Sequence, residues 1–328
     1  MEKTLGKEIR HQGTKIGWSL LGYVLITNIV VIIGMFIDIV IAMIEKTGGD
    51  VQSLTVADTE EIVFSVLGNL TSNGTSSIIA IIFGIPLLML IFRKTVTIVN
   101  MWHTNRKMSV SNFLKLLSVF MAAQLVFTFA SSGIEALLNL LGYSANSQME
   151  WASSTRTTLS MILYVGIFGP VAEEIIYRGF LMKSLMKYGK HFAIVCSAVT
   201  FGIMHANIYQ LFFAIIIGLV LGYTASEFSL KWAVALHIIN NAIFSQLFGL
   251  LVQDLPETTQ AIILYTILGL FFVAALVIMW KHRQDIKTYY QENKVIKKQY
   301  VKFFVSVGMI AFILFHLLFM IIGIQPVQ

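Results

Sequence analysis

Residues 258–280, TTQAIILYTILGLFFVAALVIMW, run for 23 positions without a charged side chain. A bilayer core is roughly 30 Å thick and takes about 20 apolar residues to cross as a helix. In lipid each backbone N–H and C=O must be satisfied within the segment, so a run of this kind has to be helical. The alternating pattern of a barrel strand is absent. Comparable runs place spans at about 17–44, 76–92, 112–131, 157–187, 192–206, 209–226, 231–251 and 303–323 beside this one. With 57% hydrophobic residues, 12% charged residues and a mean hydropathy of +0.79, the chain lies far outside the soluble range. The sequence predicts an all-α, polytopic transmembrane protein of eight to nine spans, forming one membrane domain over 1–328.

The first span is too long for a signal-peptide core and lacks a small-residue cleavage site, so it is expected to stay as an anchor. The longest polar stretch, 45–75, reads as a loop with one amphipathic turn. Loop cations fix an orientation. With the N-terminus in the cytoplasm, Lys3, Lys7, Arg10 and Lys15 lie inside, as do Arg93, Lys94, Arg106, Lys107, Lys183, Lys187, Lys190 and the basic run 281–302. The opposite loops then hold only Lys46 and Arg156, against acids such as Asp50, Asp58, Glu60, Glu61, Asp254 and Glu257. The +6 net charge therefore reflects topology and the lipid surface, and no nucleic-acid partner is expected. The compact plan points to a bacterial plasma membrane. Cys196, the single cysteine, reads as a small core residue.

Polar residues interrupt this background in three places. FGPVAEEIIYRGF (168–180) carries Glu173, Glu174 and Arg178. Glu174 and Arg178 are four apart with the acid first, the favourable order for an ion pair on one helix face. Glu173 points about 100° away, towards the face of Tyr177, and needs a partner from another helix. FGIMH (201–205) ends an apolar helix on His205, and LHIINNAIF (236–244) puts His237 and Asn241 on one face. Intramembrane ionisable groups are costly, and they usually mark function. Counting about 1.5 Å per residue from the cytoplasmic lysines, a common cluster is feasible. The turn His205-Ala206-Asn207 would open a polar cavity beside it.

The ordered set E-E-x-x-x-R, F-x-x-x-H and H-x-x-x-N resembles the CPBP intramembrane proteases, which include type II CAAX prenyl endopeptidases and the Abi proteins of bacteriocin self-immunity. The resemblance covers about 157–250, while the flanks 1–141 and 258–323 carry no such signal. It implies that Glu173 activates a water for attack on a peptide carbonyl with help from His205. His237 and Asn241 would stabilise the oxyanion, and Glu174–Arg178 would be structural. Zinc held by Glu173, His205 and His237 is the alternative, because three protein ligands and one open position make a catalytic zinc site. HExxH is absent, so a metal-free glutamate mechanism is favoured. The expected substrate is a peptide or membrane-protein precursor. The rivals are a non-catalytic bacteriocin-immunity or scaffolding protein and, with no inverted repeat to support it, a transporter.

The remaining intrusions read as structural. Asp38 needs a partner or an interfacial position, and Glu135 sits at the outer interface. Gly218 and Gly222 favour close helix packing, and Pro86 and Pro170 bend their helices, Pro170 just ahead of Glu173.

Overall fold

A computed structural model describes residues 2–69, 73–148 and 158–327. The chain is a bundle of helices: α1 Glu2–Thr47, α2 Val56–Asn69, α3 Thr75–Phe92, the short α4 Ile98–Met101 and α5 Val110–Leu140. Next come α6 Leu159–Tyr188, α7 Lys190–Met204, α8 Ile208–Glu227, α9 Leu230–Val252 and α10 Glu257–Lys281. The chain closes with α11 Arg283–Asn293, α12 Lys297–Phe304 and α13 Val307–Ile322. Strands β1 Tyr143–Ser144 and β2 Gln325–Pro326 form one antiparallel pair.

Among the described residues seven helices are long and apolar enough to cross a membrane, or eight if the bent α12–α13 pair counts as one span. The burial pattern is that of a protein dissolved in lipid. Phe129, Ile262 and Leu270 are each at least 66% exposed, while Glu174, Arg178, Thr200, His237 and Asn240 are at most 5% exposed. Apolar side chains face outward and the costly polar ones are shared between helices. The protein is an integral, multi-pass membrane protein.

Polar contacts sort the helix ends into two faces. At one face Lys190 Nζ donates to Glu227 Oε1 (2.7 Å), the Tyr289 hydroxyl donates to the same oxygen (3.1 Å), and Asn105 Nδ2 donates to the Ser226 carbonyl (2.7 Å). At the other, Glu135 accepts from the Ser144 and Tyr209 hydroxyls, and Gln148 Nε2 donates to the Met320 carbonyl. There Asn207 also ties its amide to the Gln148 carbonyl (3.1 Å). Glu135 thus clamps the end of α5 to the start of α8.

Several expectations need correction. The loop expected at 45–75 contains the 14-residue helix α2. Its start is a capping box: the Thr55 hydroxyl accepts from Asp58 N (3.1 Å) while Asp58 Oδ2 accepts from Thr55 N (3.0 Å). The span expected at 192–206 is α7, with only 15 residues or about 22 Å of rise, short of a full crossing by length alone. The span expected from 303 breaks by 71° between α12 and α13. Helices α1 and α5 extend well beyond 17–44 and 112–131. Arg156 and residue 157 lie outside the described residues.

Gly218 and Gly222 do mediate close packing: a Cβ on Gly218 would lie 3.1 Å from the Ala198 Cα, and one on Gly222 would lie 3.0 Å from Ile194. Cys196 is fully buried. Asp38 is exposed in the C-terminal part of α1.

Candidate active site

Three helices supply the site, and each is locally distorted where it does so. In α6, residues Tyr164–Phe168 and Ile175–Met182 adopt π-helical register, on either side of Glu173 and Glu174. In α9, Ile239–Leu247 does the same immediately after His237. Such insertions cost hydrogen-bond geometry and concentrate at functional sites. In α7 the chain stops at His205, and Ala206 takes φ +47°. An alanine there costs about 1–2 kcal/mol, because its Cβ crowds the following carbonyl. Asn207 then caps α8, its Oδ1 accepting from Tyr209 N and Gln210 N. This tight turn fixes where the His205 ring can lie.

Arg178 is the hub. Its guanidinium is fully buried, donates from Nη1 to Glu174 Oε1 (2.8 Å) and from Nη2 to the Gly218 carbonyl (3.3 Å), and lies over the Phe201 ring at 4.4 Å. Gly218 permits that approach, since a Cβ there would stand 3.2 Å from Nη2. Glu174, also fully buried, takes a second partner from α9: His237 Nδ1 lies 3.0 Å from Glu174 Oε1. An ionised carboxylate is acceptor-only, so Nδ1 carries the proton and His237 Nε2 turns the other way. It turns to Glu173, whose Oε2 is 3.6 Å away. That is beyond a direct hydrogen bond, at a separation where both atoms can touch one small oxygen species.

The charges follow from these contacts. Arg178 and Glu174 neutralise each other, leaving Glu173 as the unbalanced acid with His237 as its nearest base. The Glu173 side chain is 28% exposed, against 4% for His237 and none for Glu174. The outermost acid of the group is therefore the one that a substrate can reach.

His205 does not join this chain of contacts directly. Its ring packs edge-on against Phe201 at 5.0 Å, and Phe201 meets His237 at 6.0 Å and Tyr177 at 5.2 Å. One phenyl ring is thus the wall shared by Arg178, His205 and His237. Asn241 sits one turn beyond His237, where its Nδ2 donates to the Val165 carbonyl (3.1 Å). It therefore has a structural partner that the sequence pattern does not reveal. Glu173, Glu174, Arg178 and His237 meet directly, whereas His205 and Asn241 flank them.

Among the described residues no three His, Cys, Asp or Glu side chains converge to hold an ion, so Glu173, His205 and His237 are not drawn together as a ligand set. The Nδ1 bond to Glu174 leaves His237 Nε2 open.

Sequence reasoning did not assign Phe201 a role, although it stands in the F-x-x-x-H motif. It also missed Gln124 and Asn240, whose amides bond each other at 2.7 Å. It missed Ser197, whose hydroxyl donates to the Tyr177 carbonyl (2.8 Å) and steadies the distorted α6. A polar residue in the middle of each apolar run was the available signal for Gln124 and Ser197.

Comparison with known families finds a match over residues 155–243 to the type II CAAX prenyl endopeptidase Rce1-like family. No curated protein and no solved structure matches. The matched segment contains Glu173, Glu174, Arg178, His205, His237 and Asn241, and over it the resemblance to the CPBP intramembrane proteases holds. At family level this segment is similar to that of a CAAX-type intramembrane protease.

Proposed function

We propose, from the Rce1-like match over 155–243, that this protein is an endopeptidase that hydrolyses a peptide bond within the membrane by a glutamate-activated water. The observation that carries the reading is the relay Arg178–Glu174–His237–Glu173, in which the one acid left without a charge partner of its own faces an oriented imidazole.

Glu173 takes a proton from water as the water oxygen bonds to the carbonyl carbon. The carbonyl π pair moves onto oxygen, and that developing anion is met by an N–H of Asn241 and by His237 in its doubly protonated form, whose Nε2–H can donate while Nδ1–H stays on Glu174. Preorganised donors of this kind are each worth about 2.7–4 kcal/mol of barrier. Glu173 then returns its proton to the leaving nitrogen as the oxyanion collapses and the C–N bond breaks, giving a carboxylic acid, which still holds the second water proton, and an amine. Glu174 orients the His237 ring by accepting from Nδ1–H, and Arg178 pairs with Glu174. His205, across the Phe201 ring, has the assisting role that the resemblance implies. The N-terminus is placed in the cytoplasm on the loop cations, in a bacterial plasma membrane. Substrates are a peptide or membrane-protein precursor, either CAAX-terminated or of leader-peptide type.

The test is mass spectrometry of products formed by the full chain in liposomes. It would be offered farnesylated CAAX peptides and, separately, unmodified leader-type peptides. One set should be cut at a single bond, with one ¹⁸O from labelled water in the new carboxylate. Cleavage should survive exhaustive chelation. Absence of cleavage with both sets would overturn the reading, and loss on chelation with recovery on added zinc would overturn its metal-free form.

A further inference from the structure

The Val165 carbonyl that receives Asn241 is free for a reason written in the sequence. Over Tyr164–Phe168 the helix is in π register, and Gly169 N–H goes back five residues to the Tyr164 oxygen. The donor that this register would offer Val165 is residue 170, which is proline and has no N–H. Val165 C=O is thereby left without a helical donor, and a buried carbonyl in that state is costly. Asn241 supplies the missing donor (3.1 Å). Gly166 lets the two helices come close enough, since a Cβ there would stand 3.3 Å from the Ala242 methyl.

A carboxamide is nearly symmetric in shape and opposite in polarity at its two ends. Which end of Asn241 faces the site therefore has to be imposed. Val165 O can only accept, so Asn241 must aim its NH₂ at α6 and its Oδ1 away. Asn240 Nδ2 donates to that Oδ1 (2.9 Å), and Gln124 Nε2 on α5 donates to Asn240 Oδ1 (2.7 Å). The three amides donate in one direction, from α5 through α9 to α6. Asn241 keeps a second N–H that Val165 does not use.

We infer that Gln124 and Asn240 are positioning residues which, together with Pro170, hold the donor end of Asn241 towards the reacting carbonyl. The inference rests on the proposed peptidase reading for its kinetic consequence, though not for its geometry. Helix α5 lies outside the segment that matches the Rce1-like family, so it contributes a part of the site that the motifs do not contain. Flipping Asn241 would set its oxygen against the Val165 oxygen and against the developing oxyanion alike.

Gln124→Glu tests this with almost no change of shape. In assays at alkaline pH the new carboxyl is ionised and can only accept, so Asn240 must turn its amide to α5 and present oxygen to Asn241, reversing the chain. In liposomes kcat should fall roughly tenfold or more with KM within about twofold, since losing one oxyanion donor outright costs about 10²–10³. Gln124→Met removes the first link without reversing it and should cost only about threefold in kcat by the same reasoning. Pro170→Ala restores an N–H that can satisfy Val165 from within α6. It should lower kcat while leaving the melting temperature unchanged or higher. A merely structural role predicts the opposite, lower melting temperatures with unchanged kcat per folded molecule, and would overturn the inference. The Asn241 side-chain ¹⁵N–¹H₂ resonances, identified by their loss in Asn241→Ala, provide a readout without turnover. They should shift in Gln124→Glu, and unchanged resonances would overturn the inference even if no peptide is cleaved by the wild type.

Discussion

Arg178→Met is the perturbation whose cost the structure defines best. Methionine fills most of the volume and removes the charge, both donated hydrogen bonds and the cation over Phe201. The partner left behind is Glu174, fully buried and four residues away, with His237 as its one remaining donor. Among the described residues its Oε2 has no hydrogen-bond partner even when Arg178 is present, so it has no slack to absorb the loss. Removing one member of a buried ion pair costs about 3–5 kcal/mol, because the other is stranded. That is a large share of the roughly 5–15 kcal/mol that holds a typical domain together. At about 2 °C per kcal/mol for a chain of this size, the apparent melting temperature should drop by about 6–10 °C. The double variant Glu174→Gln/Arg178→Met strands no charge and should recover at least half of that drop. It should not recover peptidase activity, since His237 loses the carboxylate that orients it. Melting in detergent by intrinsic fluorescence, run as a double-mutant cycle, measures the coupling. If the double variant melts no higher than Arg178→Met, the pair is not coupled and the reasoning fails.

Other predictions follow from the same contacts. Gly218→Ala puts a methyl 3.2 Å from Arg178 Nη2 and 3.1 Å from Ala198, and should destabilise by about 1–3 kcal/mol through overpacking, read as a lower melting temperature. Tyr209→Phe removes one donor to Glu135 and should loosen the α5–α8 clamp, seen as faster hydrogen exchange at residues 205–210 with the core unchanged. Outside the membrane, the Thr55 hydroxyl and then Lys46 hold the Asp58 carboxyl well below the usual carboxylate range. A depressed folded-state value means that its contribution to α2 is fully present above about pH 4 and is lost as pH falls further. Amide protection in α2 should therefore decline below that pH in the wild type, and show no such acid dependence in Asp58→Asn.

The class of fold was legible because bilayer physics leaves few alternatives: an uncharged 23-residue run has to be a helix. The Glu174–Arg178 pair was visible because both residues sit on one helix, four apart. What spacing cannot show is which helix meets which. The approach of His237 to Glu174, the Gln124–Asn240 bond and the Asn241–Val165 bond each join residues more than 60 positions apart. Spacing also assumes α-helical register, and the π segments at 164–168, 175–182 and 239–247 shift every face beyond them. Pro170 shows the difference: as a mark on a helical wheel it means a bend, and in the actual register it frees a particular carbonyl. The helix α2 was missed because its capping box uses Asp58 where Glu or Gln is the usual signal.

The turnover of Glu173→Gln in liposomes, counted per folded molecule, tests the central claim most directly. The amide keeps the size of the side chain and its place beside His237, and it cannot take a proton from water. Peptide cleavage should fall by about 10²–10⁴, the usual worth of a positioned base, with melting temperature and substrate affinity nearly unchanged. Cleavage within a factor of about three of the wild type would show that the water is activated elsewhere, and this site would then have no claim to the chemistry.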